Sequence, residues 1–234
     1  MKINTAIVLA GGPGTRLKPL TNDLPKAMIE VHGKPLLQWV IEWLRDNEIT
    51  QVVLGVAYLK EKIIEYFGDG RKLGIDIKYS VHTVDGGTGE GFRLAISRHV
   101  NCNVFFAMNS DQLTNLNLSD VAEFHLKHNA IATMVVANPR CPYGHIQVDD
   151  KCNAIGFMEK PPCLHAFCNA GIYVFNKQIL QHLPQKGNIE ETTFPALAKK
   201  RQLKVYPFKG LFITVNTYKD LATAEQELTG WKSK

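Results

Sequence analysis

A chain of 234 residues is long enough for one α/β domain with a sizeable core. Hydrophobic residues at 45% and charged residues at 21% exclude a disordered or fibrous chain. The net charge of +5 comes from scattered lysines and arginines rather than a basic stripe, which argues against a nucleic-acid partner. Five cysteines, an odd number without a C-x-x-C pair, argue against a disulfide framework or a zinc site and fit a reducing cytoplasm. No run of roughly eighteen apolar residues indicates a membrane span. A strand that starts within a few residues of Met1 leaves no room for a signal peptide.

The first element is the apolar run Ala6, Ile7, Val8, Leu9 and Ala10, the composition of a buried parallel strand. It stops at Gly11, Gly12, Pro13 and Gly14. Glycines open backbone conformations closed to other residues and leave amide N–H groups uncovered. At the carboxyl end of a strand such amides form an anion-binding concavity. Arg16 adds a planar cationic fork and Lys26 a compact charge, so the segment reads as a cradle for a polyphosphate. It is not a P-loop, since no Gly-Lys-Ser/Thr follows. Nor is it a G-x-G-x-x-G turn: Leu17 sits where the third glycine belongs, and Pro19 and Pro25 oppose a long helix.

Further along, periodicity predicts helices over 35–47, 60–67 and 90–98 and strands over 51–56, 75–81 and 104–108. Alternation at this spacing implies βαβ units and a mostly parallel sheet, with ligands outside the carboxyl ends of the strands. A helix over 118–128 follows, with Ser119 as its expected cap. After residue 131 strands succeed one another, over 132–137, 145–148, 154–159 and 171–175, as in a mixed sheet or a β-rich lobe over the site. Helices over 189–200 and 218–228 flank strands over 203–207 and 211–215. The expectation is one domain, 1–234, with halves at 1–130 and 131–234. No hexapeptide repeat predicts an appended β-helix.

Leu9 to Thr21, with Pro25 and Lys26, resembles the L-A-G-G-x-G-T-R-L-x-P-L-T and P-K signature of the sugar-1-phosphate nucleotidyltransferases. The resemblance extends from this loop to the helix at Tyr218. It implies a Rossmann-like, mostly parallel sheet flanked by helices, with a β-rich sugar-binding lobe, the glycosyltransferase-A-like form of the fold. The implied reaction joins a nucleoside triphosphate to a sugar 1-phosphate and releases pyrophosphate. Arg16 and Lys26 are its expected catalytic cations. Leu9, Ala10, Gly11, Gly12, Gly14 and Thr15 would bind the nucleotide, as would Gly87 and Thr88 in a base-reading Gly86-Gly87-Thr88-Gly89 loop.

Asp111 follows the strand over 104–108, where the family carries a G-D pair whose carboxylate holds Mg²⁺; here Ser110 replaces the glycine. Thr214 stands where many relatives supply a second carboxylate, and Asn216 matches the place of an Asn used in one branch. An amide oxygen can coordinate Mg²⁺ but brings no charge. Glu159-Lys160-Pro161 and Asn169-Ala170-Gly171-Ile172-Tyr173 resemble the E-K-P and N-A-G-I-Y motifs, and Gly144 the glycine of Y-G. Glu159 and Asn169 would meet sugar hydroxyls, and Lys160 the sugar phosphate. His82, Thr83, Asp85 and Glu90 depart from the family around the base loop. GTP with heptose or mannose 1-phosphate is the expected pair. Uridylyl, thymidylyl or cytidylyl transfer, or a regulatory paralogue that only binds nucleotide-sugar, stays open, as does homo-oligomerisation. His125, His128 and His145 read as surface or packing residues, and Trp39 and Trp43 as core.

Overall fold

In the computed structural model, which describes residues 2–139, 143–161, 163 and 166–229, the apolar run at the N-terminus becomes strand β1, Thr5–Leu9. A small hairpin, β2 (Glu30–Val31) and β3 (Lys34–Pro35), leads into helix α1, Leu36–Asp46. Next come β4 (Gln51–Val56), α2 (Lys60–Phe67), β5 (Asp76–Val81), α3 (Gly87–His99) and β6 (Val104–Asn109). They are followed by β7 (Gln112–Thr114), α4 (Leu118–His128), β8 (Ala132–Ala137), and the strands β9 (His145–Val148) and β10 (Ala154–Met158). The remaining elements are β11 (Cys168–Asn176), α5 (Thr193–Lys199), β12 (Leu203–Phe208), β13 (Phe212–Thr214) and α6 (Tyr218–Glu227).

Seven strands form one sheet in the order β12-β8-β11-β6-β1-β4-β5. β11 pairs antiparallel with both β6 and β8, while every other pairing in the sheet is parallel. The sheet is therefore mostly parallel, and strands from both sides of residue 130 belong to it, with β11 pairing on β6. Alternate residues feed its two faces. Ala6, Val8, Val52, Leu54, Phe106 and Met108 join one apolar cluster with Leu37, Ile41 and Leu44 of α1 and Ile63 and Phe67 of α2. Ile7, Val53, Phe105 and Ala107 join the other, with Phe92 and Ile96 of α3 and Phe194 and Leu197 of α5. Both faces of β1 are buried, which is why its sequence is a continuous apolar run rather than an alternation. β9 and β10 stand apart as an antiparallel pair.

Several boundaries move for identifiable reasons. The helix expected over 90–98 starts at Gly87, because the glycine run is packed under the 184–188 segment: a Cβ on Gly89 would lie 2.4 Å from Pro184 Cγ. The helix expected over 189–200 begins at Thr193, with Pro195 in a first turn that needs no N–H from it. Ser119 does not cap α4. Asn117 does, its side chain accepting from Ser119 N at 2.9 Å. The strand over 171–175 extends back to Cys168 through its pairing with β8.

His125 is packing, as its pattern suggests: it is buried, with Nδ1 2.9 Å from Thr133 Oγ1. Burial pushes its pKa below the ordinary 6.5. The unfolded chain then binds the extra proton, so stability should fall as pH drops below about 6.5. Thermal melts from about pH 8 to about pH 5 should show that loss, and His125→Gln should flatten it. Trp39 and Trp43 are half-buried against the core, with their indole N–H groups donated to Val31 O and Leu116 O. The described cysteines are free thiols. Among the described residues no helix is long and apolar enough to cross a membrane.

Candidate active site

A third apolar cluster, apart from the two sheet faces, fixes where the polar groups lie. Leu17, Ile29, Val31 and Leu36 from the N-terminal segment pack with Leu113, Ile213, Val215 and Ala224. β7 and β13 pair antiparallel beside it, and Val215 N donates to Asp111 O at 3.0 Å. The loop bearing Arg16, the turn bearing Asp111 and the start of α6 are thereby clamped together. At α6 a capping box forms between Thr217 and Asp220. Asp220 Oδ2 also accepts from Asn216 N at 3.0 Å, which holds Asn216 at the helix entrance.

The glycine loop has the built character expected of it. Gly14 lies in the left-handed region at φ 62°, and a Cβ there would come within 2.8 Å of Lys26 Cβ. Its carbonyl accepts from Leu17 N and Thr21 Oγ1. Gly12 is different: a Cβ on it would meet nothing within 4 Å. The fold does not require its bareness.

Four side chains from opposite ends of the chain converge. Asn216 Oδ1 accepts from Arg16 Nη2 at 2.7 Å and from Lys26 Nζ at 2.8 Å, across 200 and 190 residues. Lys26 also forms an ion pair with Asp111 Oδ2, with both side chains about 15% exposed. Asp111 Oδ1 accepts from Gln112 Nε2 at 2.8 Å. Two cations thus meet at one neutral oxygen and one carboxylate. Lys26 and Asp111 line a cavity of about 270 Å³, and Arg16 joins them through Asn216. Two cations drawn to one neutral oxygen, with a single carboxylate beside them, leave net positive charge that suits a phosphate.

Leu9, Gly11, Gly12, Lys26, Gly87, Thr88 and Asp111 line that cavity, so most of the expected nucleotide residues surround one space. Ala10 is buried and spends its N–H on Gly55 O; Thr15 is exposed on the short helical turn Thr15–Leu17. Thr88 is partly committed, donating its hydroxyl to Glu190 Oε2 at 2.7 Å. The sugar-motif residues do not line the cavity. Glu159 and Lys160 pair with each other at 2.9 Å on an exposed surface. Gly144 abuts them: a Cβ there would lie 3.1 Å from Glu159 Oε2. Asn169 donates to Tyr173 OH at 2.8 Å and accepts from Gly171 N at 2.9 Å. Burial and the charges of Glu190 and Asp111 hold the Tyr173 phenol well above its usual range.

Sequence reasoning missed several lining residues, among them His82, Asn109 and Asn188. Asn188 arrives from a loop 100 residues beyond Thr88, a pairing with no local signal. His82, in the sequence only a departure from the family around the base loop, has its Nδ1 3.0 Å from Thr83 O, and its buried Nε2 has no hydrogen-bond partner among the described residues. Among the described residues no three His, Cys, Asp or Glu side chains gather as a metal cage. A carboxylate beside an amide oxygen is nevertheless an all-oxygen donor set of the kind Mg²⁺ accepts, since that ion completes its shell with waters and phosphate oxygens.

The family model described as nucleotidyl transferase matches residues 5–230. Over 224 residues the chain is 34% identical to the mannose-1-phosphate guanylyltransferase catalytic subunit beta of Drosophila pseudoobscura pseudoobscura, covering 93% of this chain and 60% of that protein. It is 31% identical over 233 residues to mannose-1-phosphate guanylyltransferase of Mycobacterium tuberculosis, covering 96% and 63%. The chain therefore spans less than two thirds of the length of these relatives. Among solved structures, HddC from Yersinia pseudotuberculosis complexed with GMP-PN superposes with a TM-score of 0.76 at 24% identity, covering 97% of this chain and all of that one. That last likeness speaks for the fold.

Proposed function

The chain belongs to the nucleotidyl transferase family, and on that premise we propose that it transfers a guanylyl group from GTP to mannose 1-phosphate, giving GDP-mannose and pyrophosphate. The observation that carries this reading is Lys26 paired with Asp111 in a glycine-lined cavity, with Arg16 joined to Lys26 through the shared Asn216 oxygen. The choice of base and sugar leans on the named activity of the relatives at 34% and 31% identity. We place the reaction in the cytoplasm, supplying sugar nucleotide for cell-surface polysaccharide, where free thiols such as Cys102 and Cys168 are at home.

A phosphate oxygen of the sugar attacks the α-phosphorus; that P–O bond forms as the bond to the bridging oxygen breaks and pyrophosphate departs. The nucleophile is already ionised near neutral pH, so the work is positioning and charge neutralisation. Arg16 and the loop amides grip the β- and γ-phosphates. Lys26 turns from Asn216 to the α-phosphate and follows the charge that moves onto the leaving oxygen. Lys160, released from Glu159, orients the incoming sugar phosphate, while Glu159, Asn169 and the Gly144 amide receive sugar hydroxyls. Asp111 and the freed Asn216 oxygen would hold Mg²⁺, which supplies neutralisation of the phosphate oxygens and the leaving group. Asp220→Ala should cost about 1 kcal/mol of stability by leaving Asn216 N and Thr217 N without their acceptor. It should also lower turnover on the order of tenfold by loosening Asn216. Thermal melts and steady-state kinetics check both.

The deciding experiment is pyrophosphate release from each of the four triphosphates crossed with mannose, heptose and glucose 1-phosphates. GTP with mannose 1-phosphate should turn over fastest. Silence in every pairing would remove the catalytic reading and favour a nucleotide-sugar-binding role.

A further inference from the structure

Asp111 is the only carboxylate of the catalytic group, and Thr214 occupies the position where a second could stand. What surrounds that threonine is a hydrogen-bonded chain. In the β7–β13 ribbon, Gln112 and Thr214 are direct cross-strand partners. Thr214 Oγ1 donates to Gln112 Oε1 at 2.8 Å, and Gln112 Nε2 donates to Asp111 Oδ1 at 2.8 Å. Gln112 is only 5% exposed. Its amide has one orientation that works. Flipped, its oxygen would face the carboxylate, acceptor against acceptor, and its NH₂ would face the threonine. The sheet also makes room for this amide. Gly171 of β11 sits at φ 68°, and a Cβ there would press within 2.8 Å of Gln112 Nε2.

We infer that Thr214 and Gln112 are positioning residues: a neutral relay that ties up Oδ1 of Asp111, so that Oδ2 alone faces Lys26 and the metal-bound triphosphate. The relay does by orientation what a second carboxylate would do by charge. A hydroxyl–amide–carboxylate line restricts the Asp111 side chain to one rotamer without adding negative charge to a site that must accept a polyphosphate. This rests on reading Asp111 as the metal-binding carboxylate.

The test uses the full chain with Thr214→Val, which keeps the shape and removes the hydroxyl, Thr214→Ser, which keeps the hydroxyl, and Gln112→Leu. Partners of ligating carboxylates are worth roughly ten- to a hundredfold in metal affinity or activity. Thr214→Val should therefore raise the half-saturating Mg²⁺ and lower kcat by about tenfold, with KM for the triphosphate within about twofold of wild type. Thr214→Ser should restore both. Combining Gln112→Leu with Thr214→Val should be no worse than Gln112→Leu alone, because either change already cuts the line. Independently of turnover, Mn²⁺ bound in the presence of an unreactive triphosphate analogue, read by electron paramagnetic resonance, should be weaker for Thr214→Val than for wild type. Equal Mn²⁺ binding in the two proteins, or multiplicative losses in the double variant, overturns the relay. A wild type inactive with every triphosphate defeats the guanylyl-transfer reading, while the Mn²⁺ comparison still decides the relay.

Discussion

Lys26→Ala should reduce kcat by roughly a hundred- to a thousandfold, the loss seen when one preorganised donor to a developing oxyanion is removed. The lysine is held for that task before any ligand arrives. Its ammonium lies between Asp111 Oδ2 and Asn216 Oδ1, and its side chain is 14% exposed. Its tie to Asp111 holds it at the cavity while it turns from Asn216 to a phosphate. Lys26→Arg should recover little, since a planar fork cannot take the place of a compact ammonium held between Asp111 and Asn216. Circular dichroism on both variants checks that the fold survives. Near wild-type kcat in Lys26→Ala would remove the lysine from the mechanism.

The largest effect on stability is expected from Phe175→Ala, about 3–5 kcal/mol. Phe175 is fully buried and stacks on Tyr173 at 5.3 Å between ring centroids, with Phe92 at 5.7 Å edge-on. These rings join β11 to α3 on the face that also carries α5. Removing one leaves a cavity that rigid strands on both sides cannot close. For a chain of this size the loss should lower Tm by roughly 10 °C or more. A shift of only a degree or two would show that the aromatic cluster relaxes around the gap.

The central strands were legible because two buried faces demand unbroken apolar runs, as in 51–56 and 132–137. Helix α2 was legible from its period and from Gly68 at its end. The glycine loop and its two cations were legible because they lie in one short stretch. Strand β13 lies inside the strand expected over 211–215, but its partner β7 was not legible: Gln112–Thr114 is too short to show a period and is defined only by its pairing with β13. For the same reason Gln112 and Asn188 could not be found by reading along the chain, since their partners are about a hundred residues away. Asn216 was singled out as a metal ligand, but its grip on both Arg16 and Lys26 depends on a fold that no local pattern encodes.

The bridge from residues 16 and 26 to residue 216 also orders events at the ribosome. With translation at roughly 10 residues per second, about twenty seconds separate the emergence of Lys26 from that of Asn216. For the second half of that interval Lys26 has Asp111 as its partner, while Arg16 still lacks the Asn216 oxygen. The four-residue cluster is therefore completed only after most of the central sheet has been made, and a premature stop anywhere before codon 216 leaves Arg16 and Lys26 without the oxygen that joins them.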